Sequence, residues 1–161
     1  MEQNNFDIKK IKVYRTTEAT VFEVAFAIVA IIAWALIIWL VHRAPDIVPT
    51  HFDASGKPNA YGTPAGATIP CVILTIAAIV MMVLAYFPRH INMPFKITNI
   101  RQVELTIRQL RIAGITILFL PLTVAYMMLG MKTPSATPLL VVVGLILLEF
   151  IVTSILIYRA K

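Results

Sequence analysis

Residues 24–41 are eighteen consecutive apolar residues without a single charge, and few folds can absorb such a run. A transmembrane helix needs about 20 predominantly apolar residues to cross a hydrocarbon core roughly 30 Å thick. Residues 21–41 meet that length, and three comparable stretches follow at 67–87, 112–131 and 138–158. The sequence therefore predicts an all-α integral membrane protein, a four-transmembrane-helix bundle over residues 21–158. An N-terminal tail (1–20) and a short C-terminus (159–161) flank it. A loop at 42–66 joins the first two helices and a basic loop at 88–111 joins the second and third.

Composition agrees. Hydrophobic residues make up 59% and charged residues 14% of the chain, against about a quarter charged in soluble domains. A net charge of +6 would suggest nucleic acid in a soluble protein. Here the basic residues flank apolar spans, which points to the headgroups of the lipid bilayer and to no nucleic-acid partner. The first span is too long for the core of a cleaved signal peptide and runs into Trp39, so it reads as a retained anchor. The single Cys71 excludes an intrachain disulfide.

Eleven of the fourteen Lys and Arg lie in the tail, the 88–111 loop and the C-terminus; only Arg43, Lys57 and Lys132 lie in the first and third loops. The excess of cations in cytoplasmic loops predicts both termini in the cytoplasm and the 42–66 loop outside.

That outer loop carries the densest set of structural signals. Residues 47–52 have the β-branched and aromatic content of an extended segment, with Pro45 and Pro49 fixing the chain. Asp53 can bond the backbone two residues on, and Gly56 can adopt a left-handed turn conformation. Residues 58–62, with Pro58 and Gly62, are expected to turn the chain once more. The loop is therefore a folded cap, with His51 bonding a loop carbonyl and Phe52 packing on the helix ends. His42, Asp46, His51 and Asp53 include metal-ligand types, but their spacing matches no metal signature.

The run Pro45-Asp-Ile-Val-Pro-Thr-His-Phe-Asp-Ala-Ser-Gly-Lys-Pro-Asn59 resembles the hallmark of the membrane family known as domain of unknown function 1648, approximately Leu-Pro-x-x-Ile-Pro-x-His-Phe-x-x-x-Gly-x-x-Asp. Ile91-Asn-Met-Pro-Phe-Lys-Ile-Thr98 resembles a second segment found after the second helix of such proteins. This chain has Ala44, Val48 and Asn59 where the family usually has Leu, Ile and Asp. The resemblance implies a binding role for Pro49, His51, Phe52, Asp53 and Gly56. Relatives at this motif include the SdpI-like immunity proteins, which protect producer cells from a secreted toxic peptide and signal its presence to a cytoplasmic repressor. The resemblance thus implies a protein or peptide partner at the outer loop. A cytoplasmic partner would meet Asn92, Pro94, Lys96, Arg101, Arg108 and Arg111.

Within the spans, Glu149 is the acidic residue placed deepest. An ionised carboxylate at mid-membrane costs on the order of 2.5 to 3.5 kcal/mol or more, so it must be protonated, paired or turned to a wet interior. It is either a proton-linked or ligand-binding group, as in a small transporter or channel, or a neutral acid bonded to a nearby Thr, Tyr or carbonyl. Glu23 is expected to meet Arg108 or Arg111 near the inner interface. Asn99 and Gln102 have the spacing of a capping box opening an amphipathic helix that runs into the third span. Pro121 should kink that span, with Thr116 or Thr123 satisfying freed backbone groups. Ala27, Ala30, Ala33, Gly114 and Gly144 offer close helix contacts. No catalytic Ser/His/Asp set or phosphate-binding loop is recognisable. The expectation is a non-enzymatic protein without cofactor or metal that senses, binds a partner, or serves as a subunit of a membrane complex.

Overall fold

The computed structural model describes Phe6, residues 8–91, 95–130 and 135–160. Helix α1 (Thr17–Arg43) starts where Thr16 turns its hydroxyl back to accept from the amide of Ala19 at 3.1 Å. It stops at Ala44, held extended ahead of Pro45. Two strands follow, β1 (Val48–Phe52) and β2 (Pro58–Gly62), paired antiparallel. A short helix α2 (Pro64–Ala67), capped by Thr63, leads into α3 (Ile69–Leu84). The third span comprises α4 (Ile100–Ile117), α5 (Phe119–Ala125) and a π-helical turn at Tyr126–Gly130. Helix α6 (Thr137–Arg159) completes the chain.

Among the described residues four helical stretches are long and apolar enough to cross a membrane: Thr17–Arg43, Pro64–Leu84, Ile100–Gly130 and Thr137–Arg159. Each begins before the corresponding apolar stretch in the sequence. The second also ends early, at Leu84, with Tyr86 and Phe87 in the turn that follows.

The third span is the hub, since α4 and α5 together pack against α1, α3 and α6. A third (33%) of its most apolar stretch is buried, against 6% in α6. Elsewhere large side chains such as Ile31, Ile73, Leu140 and Leu145 stand exposed; in water this surface would be a severe liability, and it suits lipid instead. One core cluster, Ile37, Cys71, Val124 and Ala125, ties α1, α3 and α5 together near the hairpin. The other, Ala85, Ile97, Val103 and Ile107, closes the end where both chain ends lie. There Phe6, Ile8, Ile11 and Val13 pack onto it. The N-terminal segment, a polar tail by sequence, thus contributes apolar floor.

Helix contact by small residues holds at some expected positions and fails at others. A Cβ on Gly114 would sit 2.9 Å from Met82 Cγ and 3.2 Å from the carbonyl of Ala78, so α3 and α4 touch there. Ala33 is buried as well. Gly144 has nothing within 4 Å of such a Cβ, and Ala27 is exposed; both face away from the bundle.

The third span is interrupted at Leu118, whose amide bonds Ile115 at 3.2 Å. Pro121 lacks the amide that would reach the carbonyl of Ile117. Thr116 and Thr123 do not fill that role: their hydroxyls donate to Ala113 at 3.2 Å and Phe119 at 2.7 Å. Beyond the break, the Cys71 sulfur lies 3.3 Å from the carbonyl oxygen of Pro121 and ties α3 to α5.

Candidate functional sites at the hairpin and at Glu149

The hairpin is built around Asp53. One carboxylate oxygen accepts from the Ser55 amide at 2.8 Å, the Ser55 hydroxyl at 2.7 Å and the Lys57 amide at 3.0 Å. The backbone closes the same turn, Asp53 N to Lys57 O and Gly56 N to Asp53 O, each at 2.9 Å. The Ser55 hydroxyl, then the amide of Lys57, hold the Asp53 carboxyl below its ordinary pKa. Gly56 takes φ +78°, the left-handed value its place requires.

Residues 58–62 do not turn the chain; they form β2, the partner of β1. The register runs Val48↔Gly62, Pro49↔Tyr61, His51↔Ala60 and Phe52↔Pro58, so Thr50 and Asn59 are each an extra residue on their strand. These two irregularities bring His51 to Asn59, with Nδ1 and Oδ1 2.5 Å apart. The amide oxygen is an acceptor, so Nδ1 is the donor of this bond. The partner of His51 is therefore a side chain across the hairpin, where sequence reading expected a loop carbonyl. Asn59 was not singled out by its sequence position.

Val48 is buried, and Pro49, Phe52 and Gly56 are half-buried, while His51, Asp53, Lys57, Asn59 and Tyr61 are exposed. β1 packs against α2 and the Tyr126–Gly130 turn. Among the described residues no three His, Cys, Asp or Glu side chains converge to hold a metal ion.

At the opposite end the basic residues divide. Arg108 pairs with Glu18 at 2.7 Å. Arg111 is buried, its guanidinium 5.5 Å from the ring centre of Tyr86. Glu23 makes its ion pair with Arg15 at 2.6 Å and accepts from the Tyr86 hydroxyl, with Arg111 near enough to act on it through charge alone. Lys96 and Arg101 are exposed. Asn92 and Pro94 lie outside the described residues. Asn99 and Gln102 do cap α4: Asn99 Oδ1 accepts from the Gln102 amide at 2.9 Å, and Gln102 Oε1 accepts from the Thr98 amide at 2.8 Å. Their amino groups reach across to α6, Asn99 to the carbonyl of Ala160 and Gln102 to that of Ile157. One pair thus satisfies orphaned groups at the ends of two helices.

Glu149 projects from α6 beside a cavity of about 390 Å³ between α3, α4 and α6. Both carboxyl oxygens are buried and neither has a hydrogen-bond partner among the described residues. Thr153, one turn on, donates to the backbone carbonyl of Glu149 at 2.8 Å. Gln109, also at the cavity, reaches Thr153, Ser154 and the carbonyl of Phe150 from α4. The Thr153 side chain lies close to the carboxyl, but its hydroxyl is directed to the backbone carbonyls of Glu149 and Phe150.

Residues 28–75, from within α1 through the hairpin into α3, match the family model described as "Domain of unknown function (DUF1648)". An uncharacterized protein of Archaeoglobus fulgidus is 33% identical over 70 residues, which cover 38% of this chain and 38% of that one. No solved structure matches the chain. The matched residues 28–75 hold the whole hairpin and its His51–Asn59 pair, so the similarity to the DUF1648 family is carried by that segment.

Proposed function

We propose that this is a non-enzymatic, multi-pass protein of a bacterial-type cytoplasmic membrane, and that its hairpin recognises a protein or peptide partner outside the cell, as in sensing or immunity. The observation that supports this is a hairpin held in one shape with its polar side chains left outward. Three bonds to Asp53 fix the turn, and β1 is seated on α2 and the Tyr126–Gly130 turn. Yet His51, Lys57, Asn59 and Tyr61 stand exposed, Tyr61 at 62%. A surface ordered in advance loses little entropy on binding, which favours recognition.

The distribution of Lys and Arg supports the orientation, with both termini in the cytoplasm. It leaves exposed Lys96 and Arg101 as the contacts for a cytoplasmic partner; Arg108 and Arg111 are already engaged within the bundle.

The test places a photo-crosslinking residue at Tyr61 in cells, with the same residue at lipid-facing Leu148 as control. A discrete adduct at 61 that disappears with His51→Ala or Lys57→Ala, at equal protein abundance, is the expected result. If adducts at 61 and 148 are the same, or survive both substitutions, the hairpin is not a recognition surface.

A further inference from the structure

The cavity between α3, α4 and α6 combines an apolar wall with one unanswered polar group. Most of its lining is apolar, with Met81, Leu84, Leu110, Ile117, Ile146 and Phe150 among the larger side chains. Three polar side chains that also border it have partners. Gln109 bonds α6, Thr106 donates to the carbonyl of Gln102 at 2.7 Å, and the His90 ring nitrogen Nε2 accepts from Arg89 at 3.0 Å. Glu149 brings two buried oxygens without a hydrogen bond among the described residues, the nearby Thr153 hydroxyl being directed to backbone carbonyls. A carboxylate can accept about four hydrogen bonds, and leaving it unpaired away from water is costly. A proton of its own would neutralise it but would still leave acceptors unused. The complementary group is a multiple donor with positive charge, and an ammonium is the compact form of that chemistry.

We propose that this cavity binds an amphipathic primary amine, its ammonium on the carboxylate of Glu149 and its apolar body against α3 and α4. The volume of about 390 Å³ suits an alkyl or aryl chain of modest length. The same chemistry is offered by a free lipophilic amine and by the ethanolamine headgroup of a phospholipid. The proposal does not rest on the hairpin's role.

The test uses the full chain in phosphatidylcholine nanodiscs, with 4-phenylbutylamine as probe and 4-phenylbutanol as its neutral counterpart. Equilibrium dialysis against empty discs separates binding from partitioning. Saturable binding of the amine, one per chain, is expected, at least tenfold weaker for the alcohol and for Glu149→Gln. Ala113→Leu, which fills the cavity from α4 while leaving the carboxyl in place, should weaken it similarly. Discs containing phosphatidylethanolamine then assign the source: competition that depends on Glu149 identifies the lipid headgroup, and its absence identifies a free amine. No saturable excess over empty discs, equal binding of amine and alcohol, or unchanged binding by Glu149→Gln overturns the proposal.

Discussion

Gly56 lies so close to the start of α6 that a Cβ on it would come within 2.9 Å of the Cβ of Ala136. One residue thus meets two demands, a left-handed backbone and close approach to the fourth span. Through this contact the hairpin is registered against a helix far along the chain.

Gly56→Ala should therefore carry both penalties. The positive φ costs about 1–2 kcal/mol, and the overlap with Ala136 adds to it. Hydrogen exchange should show lost protection across residues 48–62 while the four spans keep theirs. Unchanged protection in the hairpin would mean that the contact contributes nothing to its docking.

The turn should respond to acid in a defined direction. The folded-state pKa of Asp53 is depressed by the Ser55 hydroxyl and the Lys57 amide. Its stabilisation is thus fully present above the unfolded-state value of about 3.9 and fades as pH falls through the lower folded value. The amides of Ser55 and Lys57, followed by NMR, should lose protection below about pH 4. Asp53→Asn should show weaker protection at neutral pH and no such acid transition; an identical acid profile in that variant would exclude Asp53 as the cause.

Two glycines predict opposite outcomes. Gly114→Ala forces a methyl against Met82 and the carbonyl of Ala78, an overpacking of about 1–3 kcal/mol. Gly144→Ala meets open space and should be neutral or stabilising by up to about 1 kcal/mol through helix propensity. Reversible denaturation in detergent measures both. Met82→Ala in the Gly114→Ala background should lose less than the two single changes together, and strict additivity would argue against the close contact.

The polar contacts at the end bearing the chain termini differ in worth. In the Arg108–Glu18 pair both side chains are about half exposed, at 52% and 46%, so Arg108→Ala should cost under about 1 kcal/mol. Tyr86→Phe removes a hydrogen bond to the more enclosed carboxylate of Glu23, 30% exposed, and should cost about 1.5–3 kcal/mol. The same denaturation experiment ranks them, and a larger loss from Arg108→Ala would reverse this order.

Much of this was legible in the sequence because the controlling interactions are local. Apolar length gives the spans, and Asp53 with Gly56 gives the turn. Asn99 with Gln102 gives the cap of α4. The hidden part depends on residues distant in the chain. His51 finds Asn59 only because paired irregularities shift the register, and Cys71 meets Pro121 across fifty residues. Glu23 lies nearer to Arg15 and Tyr86 than to the arginines of α4, a matter of helix rotation that charge spacing does not encode. The apolar residues between Phe6 and Val13 are too sparse to register as an element, yet each has a place in the floor. Glu149 stood out by depth, but its lack of a hydrogen bond among the described residues is a property of the surrounding helices.

The central position of the third span also orders the protein's biosynthesis. Helices α1 and α3 leave the ribosome first, and the bond from Trp34 to Thr75 is their one side-chain hydrogen bond to each other among the described residues. Their principal partners in the bundle, α4 and α5, are made later. During translation the first two spans and the hairpin between them must wait in the lipid as an open pair. The last turn of the third span then arrives beneath β1 and gives the hairpin its seat. The family-matched segment therefore completes its packing only with what is synthesised after it.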